Sequence, residues 1–223
     1  MSLSSPATSQ LVLPGRFRAA IFDMDGLLLD TERLWLDAER ELLERHGDTF
    51  TDADREATHG RAAAESARVY APRLGLSPDA IEGEILDIML AHYDAGSPLR
   101  PGARALIEAL DGRMALAVAS NTAAPLVERA LRAAGLHVLV VVASGADMGR
   151  PKPRPDVYLE ACRMLGVAPR DAVAFEDSPP GVRAAVAAGL TTVGVPDRDD
   201  VDLAAVGAQV VIRSLAQVVV EPA

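Results

Sequence analysis

One cysteine in 223 residues, Cys162, excludes an intramolecular disulfide and fits a reducing compartment. It stands in LEACRMLG beside Ala161 and Leu165 on a helical pattern, where buried filler is expected rather than a reactive thiol. Long apolar runs are missing too. The longest, LHVLVVVA from Leu136 to Ala143, falls far short of the ~18 to 20 residues that span a bilayer, so no transmembrane helix and no membrane partner are expected. The opening MSLSSPATSQLVLPG lacks the basic segment and long apolar stretch of a secretory leader, and a cytoplasmic location is expected. Basic residues are in deficit, 22 against 32 acidic, for a formal charge of −10, and no Lys/Arg block interleaves with aromatics. That argues against a nucleic-acid surface. His46, His59, His92 and His137 show no metal-ligand spacing. Internal repeats and low-complexity tracts are absent, and no exposed apolar heptad argues for assembly, so a monomer is expected.

What is present is a chain with 49% hydrophobic residues, enough for a buried core, and 24% charged residues, too few for wholesale disorder. From Pro98 onward, short apolar runs alternate with helical segments: MALAVAS (114–120), VLVVVAS (138–144), AVAFED (172–177), TTVGV (191–195) and QVVI (209–212). Such runs predict strands buried on both faces, hence parallel and covered by helices. Pro125 in a first turn, Pro155 before the next helix and Ser178 as an N-cap open three helices that end near Gly135, Gly166 and Gly189. The expected fold class is α/β, an open, parallel, Rossmann-like sheet with right-handed crossovers. AAIFD at Ala19 to Asp23 is a strand of the same kind, yet no partner follows for about ninety residues. Between Thr31 and Ser97 the periodicity is helical: Trp35 to Leu43, Ala63 to Tyr70, then Ile81 to Met89 after the Ser77-Pro78 start signal. The expected organisation is a core of residues 16–30 and 98–223 with an all-helical insert of residues 31–97. SLAQVVVEPA at the end of the sequence is expected to pack on the sheet edge.

In open parallel sheets ligands bind outside the carboxyl ends of the strands. Here those ends are consistently polar: Asp23 and Asp25 after the first strand, Ser120 and Asn121 after the second, Glu176 and Asp177 after the fourth, with Lys152 in GRPKPRPD after the third. Carboxylates at that density repel, and a divalent cation resolves the repulsion. Mg²⁺ suits hard oxygen ligands and keeps room for water or phosphate. A metal, a hydroxyl and an ammonium make a dianion site, and a carboxylate beside it can attack phosphorus. Asp30 and Thr31 are expected to cap the helix that follows.

DMDGLLLDTE after a strand, then VASNT, PKPRPDVY and FEDSPPG in that order, with a helical insert after the first, resemble the haloacid dehalogenase superfamily over residues 19–195. The insert resembles the helical cap of the subfamily of small-molecule phosphatases and β-phosphoglucomutase. The resemblance implies an HAD-like core and a Mg²⁺-dependent phosphatase of a small phosphorylated metabolite, a sugar or polyol phosphate. It implies Asp23 as nucleophile and metal ligand, and Asp25 as general acid and base whose backbone carbonyl reaches the metal. Ser120, Asn121 and Lys152 would hold phosphate oxygens, and Asp177 and Glu176 would complete the metal site. Arg61 matches a cap position that contacts substrate in relatives, although a solvated arginine fits that position equally. Two alternatives share the fold. A phosphomutase is disfavoured because Trp35 stands where β-phosphoglucomutase has a histidine, and a catalytically silent regulatory protein is disfavoured because every catalytic member is present.

Overall fold

The computed structural model describes residues 11–58, 61–198 and 200–221, which leaves His59 outside the described residues. It runs β1 (Val12–Leu13), β2 (Ala19–Phe22), α1 (Glu32–Arg45), α2 (Asp52–Thr58), α3 (Ala63–Leu74), α4 (Pro78–Ala95), α5 (Ala103–Leu110), β3 (Ala115–Ser120) and α6 (Ala124–Ala133). It continues with β4 (Val142–Ser144), α7 (Asp156–Leu165), β5 (Ala172–Glu176), α8 (Pro179–Ala188), β6 (Thr191–Gly194), β7 (Val210–Val211) and β8 (Val219–Val220). Six strands form one sheet in the order β4-β3-β2-β5-β6-β7, with every neighbouring pair parallel. The α/β, Rossmann-like reading of the sequence holds.

The period-2 geometry of a strand explains how four residues serve two cores. In β2, Ala20 and Phe22 point to one face beside Val118, Val173 and Phe175, and the Phe22 and Phe175 rings stack at 5.0 Å. Ala19 and Ile21 point to the other face, where the neighbouring strands contribute Ala117, Ala119 and Ala174. Those small side chains admit α7 and α8 closely, through Val157, Tyr158, Ala161, Ala184 and Ala185. Cys162 packs in the same layer, and burial pushes its thiol up to about 11, where it stays protonated. The first core layer continues through Leu27, Leu28 and Leu29 into α1, α3 and α4, which bury Ala38, Leu42, Ala67, Tyr70, Ile81, Ile85 and Met89.

Four details differ from the sequence reading. The 138–144 run is a strand only over Val142–Ser144, because β4 is the sheet edge and pairs with β3 only from Val118 onward; Val140 ahead of it is 76% exposed. The 209–212 run likewise shortens to two residues. The final VVV segment leaves the sheet and pairs with β1 in a two-stranded ribbon, Val12 opposite Val219. Helix α2, in DADREAT, carries no apolar stripe and is fixed by polar contacts instead: the Thr51 amide and hydroxyl both donate to Asp54 Oδ2, at 2.8 and 2.7 Å.

Asp54 is also gripped by Arg73 at the end of α3, whose other nitrogens reach Asp48 and the Thr49 carbonyl. Burial opposes ionisation of Asp54, but the bonds from Thr51 and Arg73 outweigh it and hold the carboxyl below its ordinary 3.8; Arg73 does the same for Asp48. A depressed carboxyl pKa stabilises the fold above the ordinary range and stops doing so as pH falls through the lowered values. Arg73→Met is therefore expected to cost about 1–3 kcal/mol at neutral pH, because it strands the buried Asp54 carboxylate. In urea titrations that deficit should shrink below about pH 4, where the partner carboxylates protonate. A deficit independent of pH would mean that Arg73 acts through packing alone.

Candidate active site

Strand β2 delivers Asp23 to the sheet's carboxyl edge, and the Asp23 amide donates to the Phe175 carbonyl at 3.0 Å, so the carboxylate leaves the strand on a fixed backbone. The chain then turns sharply. Gly26 has φ +85°, its N–H donates to the Leu29 carbonyl at 2.8 Å, and Leu27 to Leu29 plug the core behind the turn. A Cβ at Gly26 would stand 2.1 Å from Asp177 Oδ2, so glycine is demanded both by the backbone and by the carboxylate arriving from β5.

Lys152 sits between carboxylates. Its Nζ donates to Asp23 Oδ1 at 2.5 Å and to Glu176 Oε1 at 2.6 Å, and lies 5.1 Å from the centre of the Tyr158 ring. Burial works against its charge, but Asp23 and Glu176 more than compensate and raise its pKa. The loop around it is pinned by Asn121, whose Oδ1 accepts from the Lys152 backbone N–H at 2.8 Å. Lys152 is the only lysine in the sequence; every other basic side chain apart from histidine is arginine.

Glu176, fully buried, accepts from Lys152 and the Tyr158 hydroxyl on Oε1 and from the Ser178 hydroxyl on Oε2 at 3.2 Å. Both oxygens are engaged, in contrast to the expected metal ligand. Asp23 and Asp177 are less well served. Among the described residues Asp23 Oδ2 is buried without a hydrogen-bond partner, and burial drives both carboxyls well above the ordinary range. Among the described residues no three His, Cys, Asp or Glu side chains converge as a metal cage. Two carboxylates whose ionised forms are disfavoured by burial still suit a small hard cation that takes its other ligands from backbone, water and substrate.

Asp25 is held differently. Its Oδ1 accepts from Thr31 Oγ1 at 2.7 Å, Trp35 Nε1 at 3.2 Å and the Tyr93 hydroxyl at 3.3 Å; its Oδ2 accepts from Thr122 Oγ1 at 3.0 Å and lies 3.5 Å from Ser120 Oγ. Thr31 thus corrects the sequence reading: it occupies the N-cap position of α1, but its hydroxyl goes to Asp25 instead of the helix. Thr31, Trp35, Tyr93, Thr122 and Tyr158 were not legible as site residues. Only Thr122, two residues beyond Ser120, carried a local signal.

These groups floor a cavity of about 670 Å³. Asp23, Asp25, Ser120, Asn121, Lys152 and Asp177 line it from the sheet's carboxyl edge, Trp35, Leu36, Glu39, Thr58 and Leu86 from the helices, and Arg61 from the connection between α2 and α3. Arg61 is exposed on that wall, while Glu176 lies behind Lys152 and outside the lining. Buried acids, one ammonium and several hydroxyls beneath a cavity of small-molecule size can bind and polarise an anionic ester.

Comparison with known proteins agrees with this geometry. A family model for haloacid dehalogenase-like hydrolases matches residues 17–189. The chain is 34% identical to (DL)-glycerol-3-phosphatase 1, mitochondrial, of Arabidopsis thaliana over 82% of its own length and 65% of that protein, just under two thirds. It is 32% identical to validoxylamine A 7'-phosphate phosphatase of Streptomyces hygroscopicus subsp. limoneus, covering 91% of this chain and 96% of that one. The crystal structure of CbbY from Rhodobacter sphaeroides in complex with phosphate superposes with a TM-score of 0.81 at 33% identity, over 90% of this chain and 95% of that one. With its strand-end carboxylates, its sheet order and these relatives in agreement, the chain belongs to the haloacid dehalogenase-like hydrolases.

Proposed function

We propose that the chain is a Mg²⁺-dependent phosphatase of a small phosphorylated metabolite, a sugar or polyol phosphate, working through an aspartyl-phosphate. The observation that carries this reading is Asp23: its Oδ1 accepts from Lys152, its Oδ2 has no hydrogen-bond partner among the described residues, and it lies at the floor of the cavity. Relatives named as phosphatases of phosphorylated small molecules support it, as does the phosphate held by the related CbbY structure.

In this reading Asp23 attacks phosphorus as the ester P–O bond breaks, and Asp25 donates a proton to the departing alkoxide. Asp25 then takes a proton from water as the new P–O bond forms and the Asp23–phosphorus bond breaks, which releases phosphate. The five donors around Asp25 hold its carboxylate for both transfers. Lys152 offsets charge on the phosphoryl oxygens, Ser120 and Asn121 Nδ2 supply further donors, and Glu176 positions Lys152. Asp23, Asp177 and the Asp25 backbone carbonyl would hold Mg²⁺, which when bound offsets the negative charge of carboxylates and phosphate. Residues 31–97 would serve as a cap over a core of residues 16–30 and 98–223, excluding bulk water. Trp35, a donor without an acceptor, offers no proton exchange where a mutase needs one.

Mg²⁺ is expected to raise the melting temperature by about 5–10 °C at a hundred times its Kd, a stabilisation of ~2.7 kcal/mol, and Asp177→Asn to abolish the shift. Phosphate release from a panel of sugar, polyol and nucleotide monophosphates should vanish in EDTA and return with Mg²⁺. Release unaffected by EDTA, with no thermal shift, would overturn the metal assignment.

A further inference from the structure

Glu39 is a buried carboxylate that the proposed chemistry leaves unused. It is 5% exposed, and its Oε2 accepts from Thr58 Oγ1 at 2.6 Å and from the Tyr70 hydroxyl at 2.8 Å. Among the described residues both of these donors go to Oε2 and none to Oε1, and the residue lines the cavity above Asp23 and Asp25. Three other cap glutamates, Glu32, Glu65 and Glu82, also line that cavity, but none of them is buried. Its place along α1 sets its reach. Trp35, four residues earlier, donates to Asp25, and residues i and i+4 share a helix face about 6 Å apart along the axis. Glu39 therefore stands one helical turn beyond the point where the cap touches the acid-base carboxylate. That is where the organic part of a bound phosphate ester would lie.

From this placement we infer that Glu39 is a specificity-determining residue that accepts hydrogen bonds from the hydroxyl groups of the substrate distal to its phosphate, which selects hydroxylated phosphate monoesters. The inference rests on the phosphatase reading above. Thr58 and Tyr70 hold one oxygen and fix the carboxylate plane, so the other meets the substrate without losing rotamer freedom. A buried anion repels a second phosphate or a carboxylate and rewards neutral donors. Leaving it unpaired by an ester without hydroxyls forfeits a charge-assisted hydrogen bond.

The test compares the best of a hydroxylated panel (glycerol 3-phosphate, sorbitol 6-phosphate and glucose 6-phosphate) with p-nitrophenyl phosphate, in wild type, Glu39→Gln and Glu39→Ala. Glu39→Gln keeps an acceptor for Thr58 and Tyr70 but can turn an amide N–H₂ toward the cavity, so it carries the test even where Glu39→Ala fails to fold. We expect kcat/KM for the hydroxylated ester to fall about 10- to 100-fold in Glu39→Gln, mostly through KM, with p-nitrophenyl phosphate turnover unchanged. Equal losses on both esters, or no loss on either, would overturn the inference while leaving the phosphatase standing, and so would a wild type that prefers p-nitrophenyl phosphate to every hydroxylated ester. Wild type inert on both classes would remove the phosphatase reading itself, and this inference with it.

Discussion

Asp23→Asn is expected to reduce phosphate release by about 10⁴-fold or more while leaving the metal-free protein as stable as wild type or slightly more so. The activity loss follows from chemistry, since an amide oxygen is a poor nucleophile toward phosphorus and the substitution changes almost nothing in shape. The stability half follows from burial. Desolvation is the largest influence on Asp23 and raises its pKa despite the adjacent Lys152, so the folded state disfavours the ionised carboxylate that neutral pH imposes. The sign is that of a raised acid. Its ionised form destabilises the fold as pH climbs above the ordinary carboxylate range, and a neutral isostere removes that burden. Lys152 still keeps Glu176 as its partner in the variant. Steady-state phosphate release and thermal unfolding in EDTA, run side by side, check both halves. A stable variant that keeps its turnover would remove Asp23 from the nucleophile's role. An inactive variant that also melts far below wild type would make the carboxylate structural.

The same balance explains which parts of the site the sequence reveals. Asp23, Asp25 and Asp177 end apolar runs or directly follow them, Lys152 lies in the loop between β4 and α7, and a parallel sheet brings strand ends and the loops after them together whatever the helices do. Their convergence was readable because backbone topology enforces it. Glu176 was legible as a strand-end acid but not in its partners: a residue's position on a strand does not say whether its carboxylate turns to the cavity or back to Lys152 and Tyr158. Thr31 looked like a helix cap because Ser and Thr at that position usually serve the backbone, and a tertiary partner, Asp25, outcompeted the helix for its hydroxyl. Trp35 and Tyr93 are 58 residues apart in sequence and meet at Asp25 only through the packing of α1 on α4, for which no local pattern exists. The fold shows the same division. Central strands announced themselves by continuous apolar runs, whereas the edge strand β4 and the β1–β8 ribbon depend on which backbone is left unpaired once the sheet has formed.

Lys152→Arg is expected to reduce kcat by about 10²- to 10³-fold, although it conserves charge. In a sequence that otherwise uses arginine for every permanent cation, lysine at this one position points to a need that a guanidinium does not meet. The geometry supplies it. The ammonium side chain is 4% exposed and bridges Asp23 and Glu176 at 2.5 and 2.6 Å over the face of Tyr158, while Asn121 fixes the backbone it hangs from. A compact point charge with three rotatable donors serves two carboxylates and a phosphate oxygen in turn; a planar fork, longer and wider, displaces one of them. Lys152→Met separates charge from shape. It removes the ammonium and leaves the buried Glu176 carboxyl with only hydroxyl donors, so it should cost about 3–5 kcal/mol of stability as well as activity. Arg and Met variants thus differ in thermal unfolding while both lose turnover. An Arg variant as active as wild type would show that charge alone is required at the phosphate, and a Met variant as stable as wild type would show that Tyr158 and Ser178 suffice to hold Glu176.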